Sequence, residues 1–109
     1  MKLTAFLIAA VLSVAAYAAG NLFTVSNQQV ASVTVTSTKF LNANSKRAYL
    51  LIQNNGTQNV IVKFGSAQSA TEGVIIPAMG NYEPYKVPTD SVYLLSASGT
   101  QSVQIVEGI

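Results

Sequence analysis

Few residue types in this chain can carry catalytic chemistry. The sequence has no Cys and no His, which excludes disulfides, thiolate nucleophiles, imidazole acid–base catalysis and the common zinc sites. Ser and Thr are abundant, but no Gly-x-Ser-x-Gly nucleophile elbow is present. The sequence has no Asp-rich loop of the kind that binds calcium, and it has no glycine-rich loop of the kind that binds phosphate. We therefore predict a protein that is not an enzyme and that has no cofactor and no metal site.

The four carboxylates give the same indication. They are Glu72, Glu83, Asp90 and Glu107, and they lack the paired spacing that a glycosidase needs across its cleft. Isolated carboxylates most often lie on the solvated surface of a protein. That is the prediction for all four.

Aromatic residues offer the remaining chemistry. Tyr82, Tyr85 and Tyr93 can form a platform on which a sugar ring stacks, although packing in a core or an interface is the commoner use of tyrosine in small β domains. With Arg47, these tyrosines are the candidate interface or ligand-binding residues.

Charged side chains are scarce over the whole chain. They make up 9% of 109 residues, whereas hydrophobic residues make up 50%. A surface of neutral polar residues suits a protein whose faces are covered by neighbours. The formal charge is only +2, and the basic residues form no dense run, which argues against nucleic-acid binding.

Residues 1–20 form an apolar amino-terminal segment. Lys2 precedes a hydrophobic run, and Ala16 and Ala18 place small residues two apart, as at a signal-peptidase site. Two interpretations stay open: a signal peptide cut after Ala18, or a retained membrane-anchor helix that contacts the membrane through residues 3–19. Such a helix would be about 26 Å long, slightly shorter than the ~30 Å hydrocarbon core.

Residues 47–64 give the clearest indication of local structure. Two β-rich runs, residues 49–52 and 59–64, flank an Asn-Asn-Gly-Thr turn, in which Gly56 can adopt positive φ without a Cβ clash. This pattern predicts a hairpin. The first arm has apolar residues on both of its faces, so both faces need cover, as in a central strand.

Other strands are predicted on both sides of this hairpin. Val33 and Val35 alternate with Thr34 and Thr36, which predicts a half-buried strand over residues 30–36 after a turn in residues 26–29. Residues 92–96 and 102–107 predict a closing hairpin around residues 97–100. Two prolines within residues 82–88 place that segment on a sheet edge.

Strands that follow one another about every ten residues, with turns between them, predict an all-β fold. We predict one domain over residues 21–109, an antiparallel β-sandwich or jelly-roll-like domain, preceded by an N-terminal hydrophobic helix. A domain of about 90 residues with exposed edges invites pairing with other chains. A homo-oligomer or a docked assembly is therefore expected.

Several short motifs add a family resemblance through their order and spacing. The motifs are RAYLLIQNN at 47–55, VKFG at 62–65, GVII at 73–76, YEP at 82–84, VPT at 87–89 and VEG at 106–108. Through them, residues 47–108 resemble small all-β structural proteins of bacteriophage particles. The resemblance covers a little over half of the chain.

What the resemblance implies is a capsid-associated, vertex, spike-base or decoration role, without catalysis and with capsid or other virion proteins as partners. The apolar amino terminus is a departure from tailed-phage decoration proteins. A retained anchor would suit a virion with an internal membrane. A cleaved peptide would suit the alternative, a secreted or periplasmic β-sandwich module that binds carbohydrate or acts as an adhesin.

Overall fold

The computed structural model describes residues 23–69 and 71–109. These residues contain eight β-strands and no helix: β1 Val25–Val33, β2 Thr38–Leu41, β3 Tyr49–Asn54, β4 Val60–Phe64, β5 Val74–Ile76, β6 Asn81–Tyr82, β7 Val92–Ser96 and β8 Gln101–Gly108. The strands form two antiparallel sheets of four, sheet A in the order β1-β8-β3-β6 and sheet B in the order β2-β7-β4-β5. The all-β prediction is confirmed in this form.

The predicted amino-terminal helix, residues 1–20, lies outside the described residues. The described residues contain no helix that could span a membrane.

Strand pairing follows a simple rule in which the first strand pairs with the last. β1 pairs with β8, β2 with β7, β3 with β6 and β4 with β5, all antiparallel. Two further pairings, β3 with β8 and β4 with β7, join these four pairs into the two sheets. Only the connection from β4 to β5 therefore stays within one sheet, and the other connections between these eight strands cross from one sheet to the other.

The hairpin predicted over residues 47–64 is wrong, because β3 lies in sheet A and β4 lies in sheet B. Each strand has a buried apolar face, with Leu50 and Ile52 on β3 and Val60 and Val62 on β4. Pairing in one sheet would have left both faces to find cover elsewhere. Instead the chain crosses between the sheets, and the two faces pack into a common cluster.

Gly56 serves this crossing in a different way from the one predicted. The described glycines with positive φ are Gly65, Gly73 and Gly99, so Gly56 does not use that freedom. A Cβ at Gly56 would instead overlap the side chain of Gln101. The turn therefore needs glycine because another strand approaches it closely.

The closing hairpin predicted over residues 92–107 is wrong for the same reason as the first hairpin. β7 lies in sheet B between β2 and β4, whereas β8 lies in sheet A between β1 and β3. The turn in residues 97–100 is present, with Gly99 at a φ of 64°. It carries the chain from one sheet to the other, so turn chemistry alone did not distinguish a hairpin from a sheet-to-sheet connection.

The first strand also differs from its prediction. β1 spans Val25–Val33, so the polar residues 26–29 are part of the strand and not a turn. Pairing with β8 along nearly the whole length of β1 supplies the backbone hydrogen bonds that local sequence did not reveal. The predicted strand ends early, since Val33 is buried but Val35 is 57% exposed.

The core is a single cluster to which both sheets contribute equally. Alternate residues along the strands of each sheet enter it, and burying each large side chain contributes about 1.5–3 kcal/mol. The cluster consists of Ala31, Val33, Leu50, Ile52, Val103 and Ile105 from sheet A, and Leu41, Val60, Val62, Ile76, Val92 and Leu94 from sheet B.

Asn54 organises the connection from β3 to β4. The residue is fully buried at the end of β3. Its side-chain Nδ2 donates to the carbonyls of Gln58 at 2.8 Å, Ile76 at 3.1 Å and Pro77 at 3.2 Å, and its Oδ1 accepts from the backbone N–H of Gly56 at 2.9 Å. Since Ile76 ends β5, this amide ties sheet A to sheet B at the crossing.

Replacing Asn54 should therefore destabilise the domain strongly. Asn54→Ala leaves buried carbonyls without a donor, and we expect the free energy of unfolding to fall by about 2–3 kcal/mol. Denaturant-unfolding curves measure this loss. The control is Asn55→Ala, at the exposed neighbouring residue. An equal loss of unfolding free energy in the two variants would contradict the role assigned to Asn54.

Candidate functional site

The predicted tyrosines lie in different environments. Tyr82 is on β6 and packs against the core, with its ring centroid 6.1 Å from that of Phe64. Burial raises the pKa of the Tyr82 phenol. Tyr85 follows in the next loop and is 90% exposed. Tyr93 lies on β7 between the buried Val92 and Leu94, which places it on the outer face of sheet B.

The structure therefore does not assemble these three tyrosines into a single platform. Among the described residues, the close aromatic pairs are Phe23 with Tyr49 and Phe64 with Tyr82. Neither pair joins two of the three tyrosines.

Arg47, the fourth predicted site residue, is buried with its guanidinium bonded inside the chain. Its Nε donates to Glu107 Oε2 at 2.8 Å, and its Nη2 donates to the carbonyl of Asn42 at 2.8 Å. Nη1 donates to the carbonyls of Pro88 at 2.6 Å and Asp90 at 2.8 Å. Four of the five guanidinium N–H groups are thus used within the protein.

Glu107 completes this buried ion pair. The side chains of Arg47 and Glu107 are 0% and 9% exposed, so the prediction of a solvated carboxylate is wrong at this position. Glu107 lies on β8, and the Arg47 contacts reach the β2–β3 connection and the β6–β7 connection. We call Arg47 and Glu107 the buried ion pair. It joins three separate parts of the chain at one end of the two sheets.

Asn44 adds a further link to the same end. Its Nδ2 donates to Glu107 Oε2 at 3.4 Å, and its Oδ1 accepts from the backbone N–H of Lys46 at 3.0 Å. Its own backbone N–H donates to the carbonyl of Thr89 at 2.8 Å. The polar turn residues that follow β2 are therefore held in a defined arrangement around the ion pair.

An open pocket of about 210 Å³ lies beside the buried ion pair. It is lined by Asn27 of β1, residues 40–44 and Glu107, of which four residues are polar and three are apolar. We call it the asparagine pocket, because three of its side chains are asparagines. It brings together polar side chains from separate strands.

Sequence reasoning missed this pocket. Asn27, Asn42 and Asn44 have the character of turn residues, and Glu107 has the character of a surface charge. Asn27 lies opposite Glu107 only because β1 pairs with β8, which is a contact between the two ends of the domain. No local pattern reveals it.

The outer face of sheet A carries a second polar contact. Tyr49 donates its phenol hydrogen to the Glu83 carboxylate, and the ring of Phe23 stacks on Tyr49 with centroids 4.3 Å apart. A Cβ at Gly108 would overlap the Phe23 ring, so only glycine leaves room for this stack. Burial, and then the hydrogen bond and charge of Glu83, raise the pKa of the Tyr49 phenol.

The surface pair of Lys63 and Glu72 provides a contrast with the buried pair. Lys63 Nζ lies 3.3 Å from Glu72 Oε2, and both side chains contact solvent. The backbone N–H of Ser69 and the Lys63 ammonium lower the pKa of the Glu72 carboxyl. Exposed pairs of this kind contribute little to stability.

Breaking the buried ion pair should be costly. Glu107→Gln leaves the Arg47 guanidinium buried without a countercharge, and we expect a loss of about 3–5 kcal/mol in the free energy of unfolding. Glu72→Gln is the matched control at the exposed pair and should change stability little. Denaturant unfolding of both variants measures the difference, and similar losses would contradict the assignment.

The raised Tyr49 pKa predicts a loss of stability in alkali. Because the folded-state value lies above the unfolded value of about 10, the contribution is fully present below about pH 10 and is lost as the pH rises further. Tyr49→Phe should therefore flatten the fall in Tm between about pH 10 and 12, leaving the smaller contribution of Tyr82. Tyr85→Phe, at an exposed tyrosine, is the control, and an unchanged slope in Tyr49→Phe would contradict the prediction.

Within residues 23–69 and 71–109, no group of three or more His, Cys, Asp or Glu side chains comes together. Comparisons with protein-family models, with curated proteins and with solved structures give no match to this chain. The function therefore has to be inferred from the geometry of the site.

Proposed function

We propose that this chain is a non-enzymatic structural component of a bacteriophage virion, a minor capsid, penton, spike-base or decoration protein that packs against capsid neighbours. The observation that carries the proposal is the strand order of the two sheets. Three further features support it: the uncharged edge strand β1, the exposed apolar residues at the sheet edges and the scarcity of charge.

The finer form of the fold belongs to this proposal. In a jelly roll, eight strands form two Greek keys in two packed sheets. The pairing of β1 with β8, β2 with β7, β3 with β6 and β4 with β5 is the pattern produced when a ribbon of four strand pairs is wrapped into two layers. We therefore propose a jelly-roll β-sandwich, an architecture used in viral capsid and lectin domains.

Strand β1 supplies an edge that suits a neighbouring subunit. It is the outer strand of sheet A, nine residues long, with no charged residue and no proline. Natural proteins usually protect such an edge with lysine, proline, a bulge or a covering segment. Here a bulge lies only at the start, between Val25 and Asn27, and Val30 in the middle is 69% exposed.

Exposed apolar residues also lie at the edge of the other sheet. Val74 and Ile75 on β5, the outer strand of sheet B, and Met79 in the following turn are all exposed. Large apolar side chains at an edge favour contact with another protein. Two edges that can pair would allow each copy to have more than one neighbour, as in a shell.

Fold alone does not determine function, so the proposal that the particle is a bacteriophage virion rests on the sequence. Residues 47–108 resemble small all-β phage structural proteins, and the neutral surface suits a subunit covered on several sides. For residues 1–20 we propose a hydrophobic helix that is either removed on export or retained as an anchor. A retained anchor would place the protein at a membrane-associated position in the virion.

Particles purified from the native source provide the direct test. Quantitative mass spectrometry should find the chain at a fixed copy ratio to the major capsid protein, and its absence from the particles would overturn the proposal. Val30→Lys places a charge in the middle of the β1 edge and should reduce incorporation about tenfold. Thr57→Lys, in an exposed turn, is the matched control and should be incorporated normally.

A further inference from the structure

The asparagine pocket has a feature that the proposed structural role does not use. Both hydrogen bonds that the Glu107 carboxylate receives from side chains of the described residues go to Oε2, one from Arg47 and one from Asn44. Glu107 is 7% exposed and lines the pocket. Its other oxygen, Oε1, accepts no side-chain hydrogen bond from the described residues and can therefore accept one from a further partner.

The charges around the pocket select the class of ligand. The Arg47 guanidinium, 2.8 Å from the carboxylate, neutralises Glu107 and opposes an ammonium group or a metal cation. An anion would be opposed by Glu107 itself. A neutral ligand with hydroxyl donors meets neither penalty, because a hydroxyl group can donate to Oε1 and also accept from an amide.

The other lining residues fit such a ligand. Asn27 and Asn42 border the pocket, and each amide offers a donor and an acceptor to adjacent hydroxyl groups. Phe40 also lines the pocket, and its side chain is partly buried against the core. The volume of about 210 Å³ is below the ~300–1,000 Å³ typical of pockets for drug-sized ligands, so it suits one small ring.

We propose that the asparagine pocket is a carbohydrate-binding site that takes a single neutral saccharide unit. The Glu107 carboxylate and the amides of Asn27 and Asn42 hold its hydroxyl groups. The site lies at the end of the sheets where β1, β8 and the β2–β3 connection meet. It is separate from Tyr82, Tyr85 and Tyr93, and it does not depend on a role in a particle.

Two variants test the pocket without touching the buried ion pair. Asn27→Ala removes one amide from the lining. Ala43→Phe adds bulk at an exposed lining residue and should block entry. Asn59→Ala, at an exposed asparagine between β3 and β4, is the matched control.

The probes are the methyl glycosides of glucose, galactose, mannose and N-acetylglucosamine, added to the isotope-labelled full-length chain. At least one glycoside should shift the backbone amide NMR signals of residues 27, 42–44 and 107. Asn27→Ala should weaken the apparent affinity about five- to tenfold, Ala43→Phe should abolish the shifts, and Asn59→Ala should leave them unchanged. Unchanged heteronuclear spectra elsewhere establish that each variant is folded.

Two results would overturn the proposal. One is that none of the four glycosides shifts these signals in the unmodified chain. The other is that the shifts occur but survive both Asn27→Ala and Ala43→Phe, which would place binding elsewhere. Neither result affects the presence or absence of the chain in purified particles, so the two proposals fail independently.

Discussion

The fold depends on a single buried guanidinium. A fully buried charge is tolerated only where a countercharge and hydrogen-bond acceptors surround it, and Arg47 obtains these from β8 and from two connections between strands. None of these partners is its neighbour in sequence apart from Asn42. Consequently the two connections cannot shift without leaving buried guanidinium N–H groups without acceptors. The same constraint fixes the Glu107 carboxylate and with it one wall of the asparagine pocket.

Local sequence patterns predicted which residues form strands better than they predicted which strands pair with one another. The alternation at Leu50 and Ile52 correctly indicated a strand with a buried face. The segment 82–88, predicted on a sheet edge, contributes only Tyr82 to the edge strand β6, and its prolines lie in the connection to β7. The hairpins were wrong because a turn with Asn and Gly serves equally well for a reversal within a sheet and for a crossing between sheets. The difference lies in Asn54, whose amide reaches carbonyls more than twenty residues away.

The candidate site was harder to predict than the strands. Glu107 differs from an ordinary surface carboxylate only through Arg47, which lies sixty residues earlier in the chain. Of the four residues predicted for interface or ligand contacts, Arg47 alone lies next to the pocket, and it does so as the partner that holds a pocket residue in place. A site of this kind is formed by contacts between residues that are far apart in the sequence. The periodicity within a single segment does not reveal such contacts.

The position of β8 has a consequence for how the protein acquires its structure. This strand follows the other seven in the chain and yet lies inside sheet A, between β1 and β3, so neither of those strands completes its pairing until residues 101–108 have been synthesised. Contacts between such distant segments slow folding, typically to milliseconds or seconds, and they leave apolar strands open to aggregation in the meantime. The domain therefore cannot complete its fold strand by strand as it emerges from the ribosome.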